Sequence, residues 1–473
     1  MKKLIIMMFG ASILAASCSS NDQGELVGVQ DRTTWYPSEP YGMVNIPQGS
    51  FNMGNSDQDV PNSLTTPTKT VSVGSFWIDQ TEITNNEYRQ FVNWVRDSIL
   101  RYRLGEDGLV EGYELIDASE MDDPSFFDEY KQLNYPDSLQ SRIDWEPYLE
   151  WNTDRYPSQE YTDIMQSMYL PPEEMFLGRR MVDSRQLVYT YYILNKQKAS
   201  RKSNRVNYDY KDADDDGEFF SYRDYIKDNK EKSHRASFFE SGSIHVYPDT
   251  LAWVHDFTYS YNDPMHDKYF WHPAYDEYPV VGVNWNQAVA FCNWRTKYRN
   301  DYLKSDGQAP EQEFRLPTEA EWEYSSRGGQ NGTTYPWGGP YTLNSAGCYL
   351  GNFKPRRGNL SADGGMYTVA ATAYAPNGYN LYNMAGNVSE WTNTAYEAAS
   401  YYYISDISPN FEYNSLDGDE ETLKRKVVRG GSWKDVAYYL QNSTRDYEYQ
   451  DTAKCYVGFR TVQSFMGRDL KDF

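Results

Sequence analysis

Short runs in which apolar and polar residues alternate open the body of this chain: Met43-Val44-Asn45-Ile46-Pro47, Ser50-Phe51-Asn52-Met53, Val71-Ser72-Val73 and Phe76-Trp77-Ile78. A period of two puts one face of the chain on a core, so these runs predict strands between about 43 and 78. The period then changes. Tyr88, Phe91, Val92, Val95 and Ile99 recur at helical spacing behind Thr84-Asn85-Asn86-Glu87. That tetrad has the form of a capping box, in which Thr84 bonds the amide three residues on and Glu87 reaches back, and a helix over about 84–100 follows. At the end of Tyr278-Pro279-Val280-Val281-Gly282-Val283-Asn284-Trp285, Asn284 is a natural N-cap and predicts a helix that continues through Cys292 and Trp294. A second capping box, Thr318-Glu319-Ala320-Glu321, predicts a helix that stops at Gly328-Gly329. Beyond it the chain is rich in Gly, Asn and Tyr with little periodicity, a composition that suits a loop-dominated architecture.

Between these regions, about 101–276 is acidic and tyrosine-rich, broken at Pro171-Pro172, with one strand expected at Leu187-Val188-Tyr189-Thr190-Tyr191-Tyr192-Ile193. Long structureless loops are uncommon in compact domains, so an insertion of this size should order on the core or find a partner. We expect 101–161 to be loosely ordered by itself, and removal of 110–170 to spare the core. All five histidines, His234, His245, His255, His266 and His272, fall in this stretch without the close spacing of helical metal ligands. Asp212-Ala213-Asp214-Asp215-Asp216-Gly217 opens like a calcium loop, but Arg223 stands where a closing glutamate is needed, so it reads as a solvated acidic loop.

Met1-Lys2-Lys3, the apolar run from Leu4 to Ala16 and the small residues up to Cys18 have the layout of an export signal. Ala15-Ala16-Ser17-Cys18 resembles a bacterial lipobox, which implies a signal peptide over 1–17 and an acylated Cys18. A tether over 18–42, one domain over 43–465 and a tail over 466–473 complete the expected organisation. Ser19 lacks the aspartate that retains lipoproteins in the inner membrane, so the expected address is the periplasmic face of the outer membrane. The net charge of -23 argues against nucleic acid or anionic lipid as a general partner and suits a basic protein or divalent cations. Aromatic residues make up 16% of the chain, with 44 Tyr and 13 Trp, a composition frequent at interfaces. With Cys18 acylated, Cys292, Cys348 and Cys455 remain, and an odd number in an oxidising compartment leaves at least one thiol unpaired within the chain.

Five motifs, read together, carry a resemblance. They are Gly49-Ser50-Phe51-Asn52-Met53-Gly54, the run Arg315-Leu316-Pro317-Thr318-Glu319-Ala320-Glu321-Trp322-Glu323-Tyr324, Tyr335-Pro336-Trp337-Gly338, Gly386-Asn387-Val388-Ser389-Glu390-Trp391, and Arg429-Gly430-Gly431-Ser432-Trp433 with Gly458-Phe459-Arg460 behind it. As a set they resemble the formylglycine-generating (sulfatase-modifying factor) family, which implies an irregular α+β fold akin to C-type lectins; the run from Tyr278 to Trp285 resembles that family's strand entering a helix. In that family two cysteines after the Arg-Gly-Gly-Ser-aromatic run hold copper and activate oxygen; here those positions read Asp435 and Leu440. The resemblance therefore implies the fold without a catalytic cofactor. It also implies two structural calcium sites, matched by Asn352, Phe353, Asp363 and Gly365 and by Ala385, Gly386, Val388 and Glu390. The glutamates of the 315–324 run are expected to be capping and surface groups, and Arg429 and Arg460 buried arginines paired with carboxylates.

The motifs combined with the lipobox, the runs Gly24-Glu25-Leu26-Val27-Gly28-Val29 and Pro40-Tyr41-Gly42-Met43-Val44, and Phe257-Thr258-Tyr259-Ser260-Tyr261-Asn262-Asp263-Pro264 in the insertion resemble more narrowly the GldK/PorK family of gliding-motility and type IX secretion lipoproteins. That resemblance implies a periplasmic ring of many copies assembled with a GldN/PorN-like protein. Two other classes stay open at this point: a lectin-like lipoprotein binding glycan or peptidoglycan, and a metal-dependent oxidase whose site is rebuilt around Cys348 and Cys455.

Overall fold

The computed structural model describes residues 38–55, 65–106, 110, 112–113, 115–117, 141–175, 180–202, 238–259, 263–355, 359–416 and 418–465. Cys18, the 212–217 loop, His234 and the 466–473 tail lie outside the described residues. The chain divides into a unit Glu39–Met466 and a second unit, Met1–Ser38 with Gly467–Phe473, of which Ser38 alone is described.

Strands β1 (Met43–Ile46), β2 (Gly49–Met53), β3 (Lys69–Val73) and β4 (Phe76–Asp79) form where the alternation predicts them. In the antiparallel β2–β3 pair, Phe51 and Met53 bury with Val71 and Val73 while Ser50, Asn52 and Thr70 stay in solvent. Strand β4 is buried at all four positions because it lies inside a sheet ordered β1-β4-β14-β9, with β9 (Phe314–Arg315) and β14 (Val462–Ser464). A second sheet, ordered β12-β11-β10-β13, joins β10 (Ser389–Ala395), β11 (Arg425–Arg429), β12 (Asp446–Tyr449) and β13 (Val457–Gly458). Its β10–β13 pair is parallel and the others antiparallel. Two antiparallel ribbons, β5 (Leu115–Asp117) with β6 (Ser141–Ile143) and β7 (Val188–Leu194) with β8 (Phe239–His245), belong to the insertion.

Helix α1 (Asn85–Glu106) starts at the predicted box, Thr84 N donating to Glu87 Oε2 at 2.8 Å and Glu87 N to Thr84 Oγ1 at 3.3 Å. It runs past the expected end because Leu100 and Leu104 prolong its buried stripe. Within the insertion lies α2 (Gln159–Ser167). Helix α3 (Trp285–Ser305) carries the reciprocal Asn284–Gln287 box, and α4 (Glu319–Ser326) the Thr318–Glu321 box. The strand expected before α3 reduces to a bridge between Thr84 and Pro279. Val280 N donating to Ile83 O at 2.8 Å and Asn85 N to Tyr278 O at 2.9 Å make that bridge, and Gly282 N turns away to Lys454 O at 2.9 Å, so the pairing does not extend into a ladder.

The insertion corrects two expectations. Leu104, Leu149, Tyr161, Met165, Met168, Leu187, Tyr189, Tyr191 and Phe270 are buried in one cluster with Tyr88 and Phe91 of α1 and Phe291 of α3. The Tyr189 ring stands edge-on to Phe91 at 5.3 Å, and its hydroxyl donates to Asn293 Oδ1 at 3.1 Å. Leu104, Leu149 and Tyr161 in 101–161, with Met165 and Met168 just beyond, thus belong to the core, so the described parts of these ranges are not a separate appendage. Several of its rings fill the interior, each contributing about 1.5–3 kcal/mol of apolar burial. Among the described residues no helix is long and apolar enough to cross a membrane.

Candidate functional site

The sequence motifs converge on buried ion pairs. Glu323 of α4, fully buried, accepts from Gly54 N at 2.9 Å, from Arg327 Nη2 at 2.6 Å and from Arg429 Nη2. One carboxylate thus fastens the first motif, the helix motif and the Arg429 motif together. Glu319 pairs with Arg445 at 2.6 Å and accepts from the Tyr401 hydroxyl at 3.1 Å. Neither glutamate is the surface group expected from sequence: two buried arginines on later strands and loops face the same side of this short helix. Arg429 also donates to the carbonyls of Asn442, Ser443 and Thr444 at 3.0, 3.0 and 2.8 Å. Arg460 grips Glu390 through Nε at 2.7 Å and Nη2 at 2.6 Å, and Trp322 Nε1 adds a third donor at 2.7 Å. Both arginines are buried structural groups, as their motifs predict.

After Arg429 the chain turns through Gly430 (φ 92°) and Gly431 (φ 66°). A Cβ on Gly431 would lie 2.9 Å from the Tyr439 backbone, so glycine is required by both backbone and space. The turn delivers Ser432, whose N and Oγ donate to Asp435 Oδ2 at 3.0 and 2.6 Å, while Lys434 Nζ holds Oδ1 at 2.8 Å. Leu440 is fully buried in a plug with Tyr335, Phe353 and Ala385. One position is thus a carboxylate with both oxygens engaged and the other an alkyl group with no ligand atom. Cys348 is exposed, Cys292 and Cys455 are buried, and all three are free thiols. Burial pushes the Cys455 thiol up, Asp256 adding to it, away from the thiolate that a soft metal selects.

The first calcium set does come together. Asn352, 1% exposed, donates through Nδ2 to Tyr367 O at 2.8 Å and Asn387 Oδ1 at 3.3 Å, while its Oδ1 has no hydrogen-bond partner. Asp363 accepts from Phe353 N at 2.7 Å and Gly365 N at 3.3 Å, and burial pushes its carboxyl above the usual range. A Cβ on Gly365 would sit 3.0 Å from the Asn352 Oδ1 atom, so glycine keeps the approach to that oxygen open. A buried amide oxygen without a donor beside a partly buried carboxylate is a hard-oxygen set that fits calcium.

The second set does not fit as read. Both Glu390 oxygens are held by Arg460, which leaves the set without a free side-chain oxygen, since Ala385, Gly386 and Val388 bring backbone carbonyls alone. The oxygens that sequence reasoning missed lie next to it. Asn383 (φ 50°) has a buried Oδ1 without a partner, and its Nδ2 donates to Glu82 Oε2 at 3.2 Å. Glu82, fully buried, also accepts from Asn387 Nδ2 at 3.0 Å, and burial pushes its carboxyl up to about 8. Glu82 sits at the foot of α1, 301 residues before Asn383, and no local pattern joins the two. Of the histidines, His245, His255, His266 and His272 assemble no metal cluster; none forms among the described residues.

A loop-rich α+β domain pinned by buried Arg–Glu forks defines the class. The chain matches the sulfatase-modifying factor enzyme 1-like domain over residues 33–163 and 217–465, and it belongs to that family. It is 35% identical over 190 residues to the inactive C-alpha-formylglycine-generating enzyme 2 of Bos taurus, covering 39% of this chain and 50% of that protein. It is 33% identical over 189 residues to the formylglycine-generating enzyme of Mus musculus, covering 39% of this chain and 43% of that one. The chain thus spans about half the length of the curated relatives it matches. Among solved structures, PvdO from Pseudomonas aeruginosa covers 89% of this chain and 94% of its own at 15% identity with a TM-score of 0.40. CarF covers 90% and 99% at 17% identity with a TM-score of 0.36. The family includes both active enzymes and inactive relatives.

Proposed function

We propose that this chain is a non-catalytic scaffold: a lipoprotein anchored through Cys18 at the periplasmic face of the outer membrane, building a ring with further copies of itself and a GldN/PorN-like protein for type IX secretion and gliding motility. The observation that carries the non-catalytic part is the burial of Leu440 among Tyr335, Phe353 and Ala385, where a copper thiolate would have to stand. The fork of Arg460 on Glu390 and the junction at Glu323 then serve rigidity, fixing the loops that a scaffold presents. Calcium, where bound, supplies a structural charge that cross-links loops. Asn352 and Asp363, with the Phe353 and Gly365 backbone, would hold it, and we derive no calcium site from the set containing Glu390. The anchor, the ring and the partner rest on the resemblance of the lipobox and the N-terminal runs.

Electron microscopy of affinity-tagged protein extracted in mild detergent, with mass spectrometry of co-purifying chains, tests the reading. Large rings with a second periplasmic protein are expected. Monomers alone, under conditions that preserve a known envelope complex, would overturn it, as would oxygen uptake that depends on Cys348.

A further inference from the structure

The chain enters the domain against the middle of α3. Arg295 donates through Nη2 to the Tyr41 carbonyl at 3.2 Å, and it is itself clamped by Asp79 at 2.8 and 2.9 Å and Thr461 Oγ1 at 2.8 Å. Tyr298 and Tyr302 follow Arg295 by three and seven residues, so they lie on the same face of the helix. They are 58% and 60% exposed and Tyr41 is 94% exposed, while the other large rings of α3, Trp285, Phe291 and Trp294, are buried. Tyr298 stacks on Trp294 at 5.5 Å, which holds its ring in place before any partner arrives. The arginines of this face are neutralised within the domain, Arg295 by Asp79 and Arg299 by Glu311.

We infer that the Tyr41, Tyr298 and Tyr302 face rests on a phospholipid bilayer, with the three rings at the level of the headgroups. This inference deepens the anchor reading and rests on it. Tyrosine has an apolar body and a polar tip, and it concentrates at membrane interfaces for that reason. Residues 19–38 separate Cys18 from the domain, a span of at most about 70 Å when fully extended. A lipid on Cys18 therefore keeps Tyr41 near the bilayer and makes the contact intramolecular, so that a contact too weak to recruit the free protein still forms. With a net charge of -23 opposing anionic lipid, the contact is through rings and does not depend on lipid charge; it should survive high salt.

The test uses the acylated full-length chain in vesicles of zwitterionic phosphatidylethanolamine and phosphatidylcholine, in a Cys348→Ser background with a nitroxide at Tyr298→Cys. Cys292 and Cys455 are buried and take no label under native conditions. Against the same labelled chain carrying Cys18→Ser in solution, collisional access to a water-soluble nickel chelate should fall several-fold on vesicles while access to oxygen rises, at low and at high salt. Unchanged nickel access in a chain whose intact mass shows the acyl group overturns the membrane face alone. A nitroxide shielded from both reagents marks a protein neighbour or a second copy and also overturns it. An intact mass without acyl chains overturns the anchor reading, and the membrane face with it.

Discussion

Arg460 and Glu390 meet side on in the interior, both fully buried, with nitrogen–oxygen distances of 2.6 and 2.7 Å. The remaining Arg460 donor, Nη1, reaches Asp79 O at 3.1 Å, and Nη2 also reaches Tyr382 O at 3.0 Å, so a single guanidinium ties β4, the 382 loop, β10 and the last segment of the chain. Removing one partner of such a pair leaves a charge buried without compensation. Arg460→Met should therefore lose about 3–5 kcal/mol of unfolding free energy in urea. A loss under about 1 kcal/mol would mean that Glu390 finds another donor or takes up a proton.

The Gly431 turn is the second place where one substitution should tell. At φ 66°, with the Tyr439 backbone 2.9 Å and Leu440 Cδ1 3.0 Å from a built Cβ, alanine is both strained and crowded. Gly431→Ala should cost about 1–3 kcal/mol by thermal or chemical unfolding. Gly307, also at positive φ but with nothing near its Cβ, is the comparison. Its alanine variant should cost less, since only the backbone term applies; equal losses at the two sites would remove the crowding argument.

The insertion shows where sequence reading stopped. Capping boxes at Thr84, Asn284 and Thr318 and the alternation in β2 and β3 are local signals, and each forms where the residues predict it. The burial of Tyr161, Met165, Leu187 and Tyr189 is not legible in the sequence because it depends on α1 and α3, which no spacing within 101–276 encodes. The candidate cation set was legible only through its motif, while Asn383 and Glu82 meet across 301 residues and left no trace in either neighbourhood. It follows that deletion of 110–170 should not leave a folded core. The deleted chain should lose the cooperative unfolding transition seen by near-ultraviolet circular dichroism. A sharp transition of undiminished midpoint would restore the view of the insertion as a separate appendage.

Calcium binding at Asn352 and Asp363 should register as heat in isothermal titration of chelator-treated protein at micromolar calcium. A ligand that binds the folded state alone raises stability with its concentration, so the melting temperature should climb with calcium. Asp363→Asn keeps the shape and removes the charge, and should abolish both effects. Absence of heat in the parent chain would leave Asn352 Oδ1 as a buried oxygen without a metal role.

Lys426 links stability to pH. The residue is fully buried on β11; its Nζ donates to Tyr413 O at 2.7 Å and lies 3.8 Å from the centre of the Trp285 ring. Burial lowers the pKa of its ammonium from 10.5 to about 7, with Glu412 opposing the shift. Between about 7 and 10.5 the unfolded chain carries a proton that the folded chain has released. Stability contributed by this group is thus fully present above 10.5 and is lost as pH falls through 7. Lys426→Met removes the titration and keeps much of the contact with Trp285. The difference in unfolding free energy between parent and variant should therefore shift toward the parent as pH rises from 7 to 9.5, by on the order of a few kcal/mol. A pH-independent difference over that range would show that the amine stays charged when buried. The Tyr413 carbonyl and the Trp285 face would then be stabilising a cation and not accommodating a neutral amine.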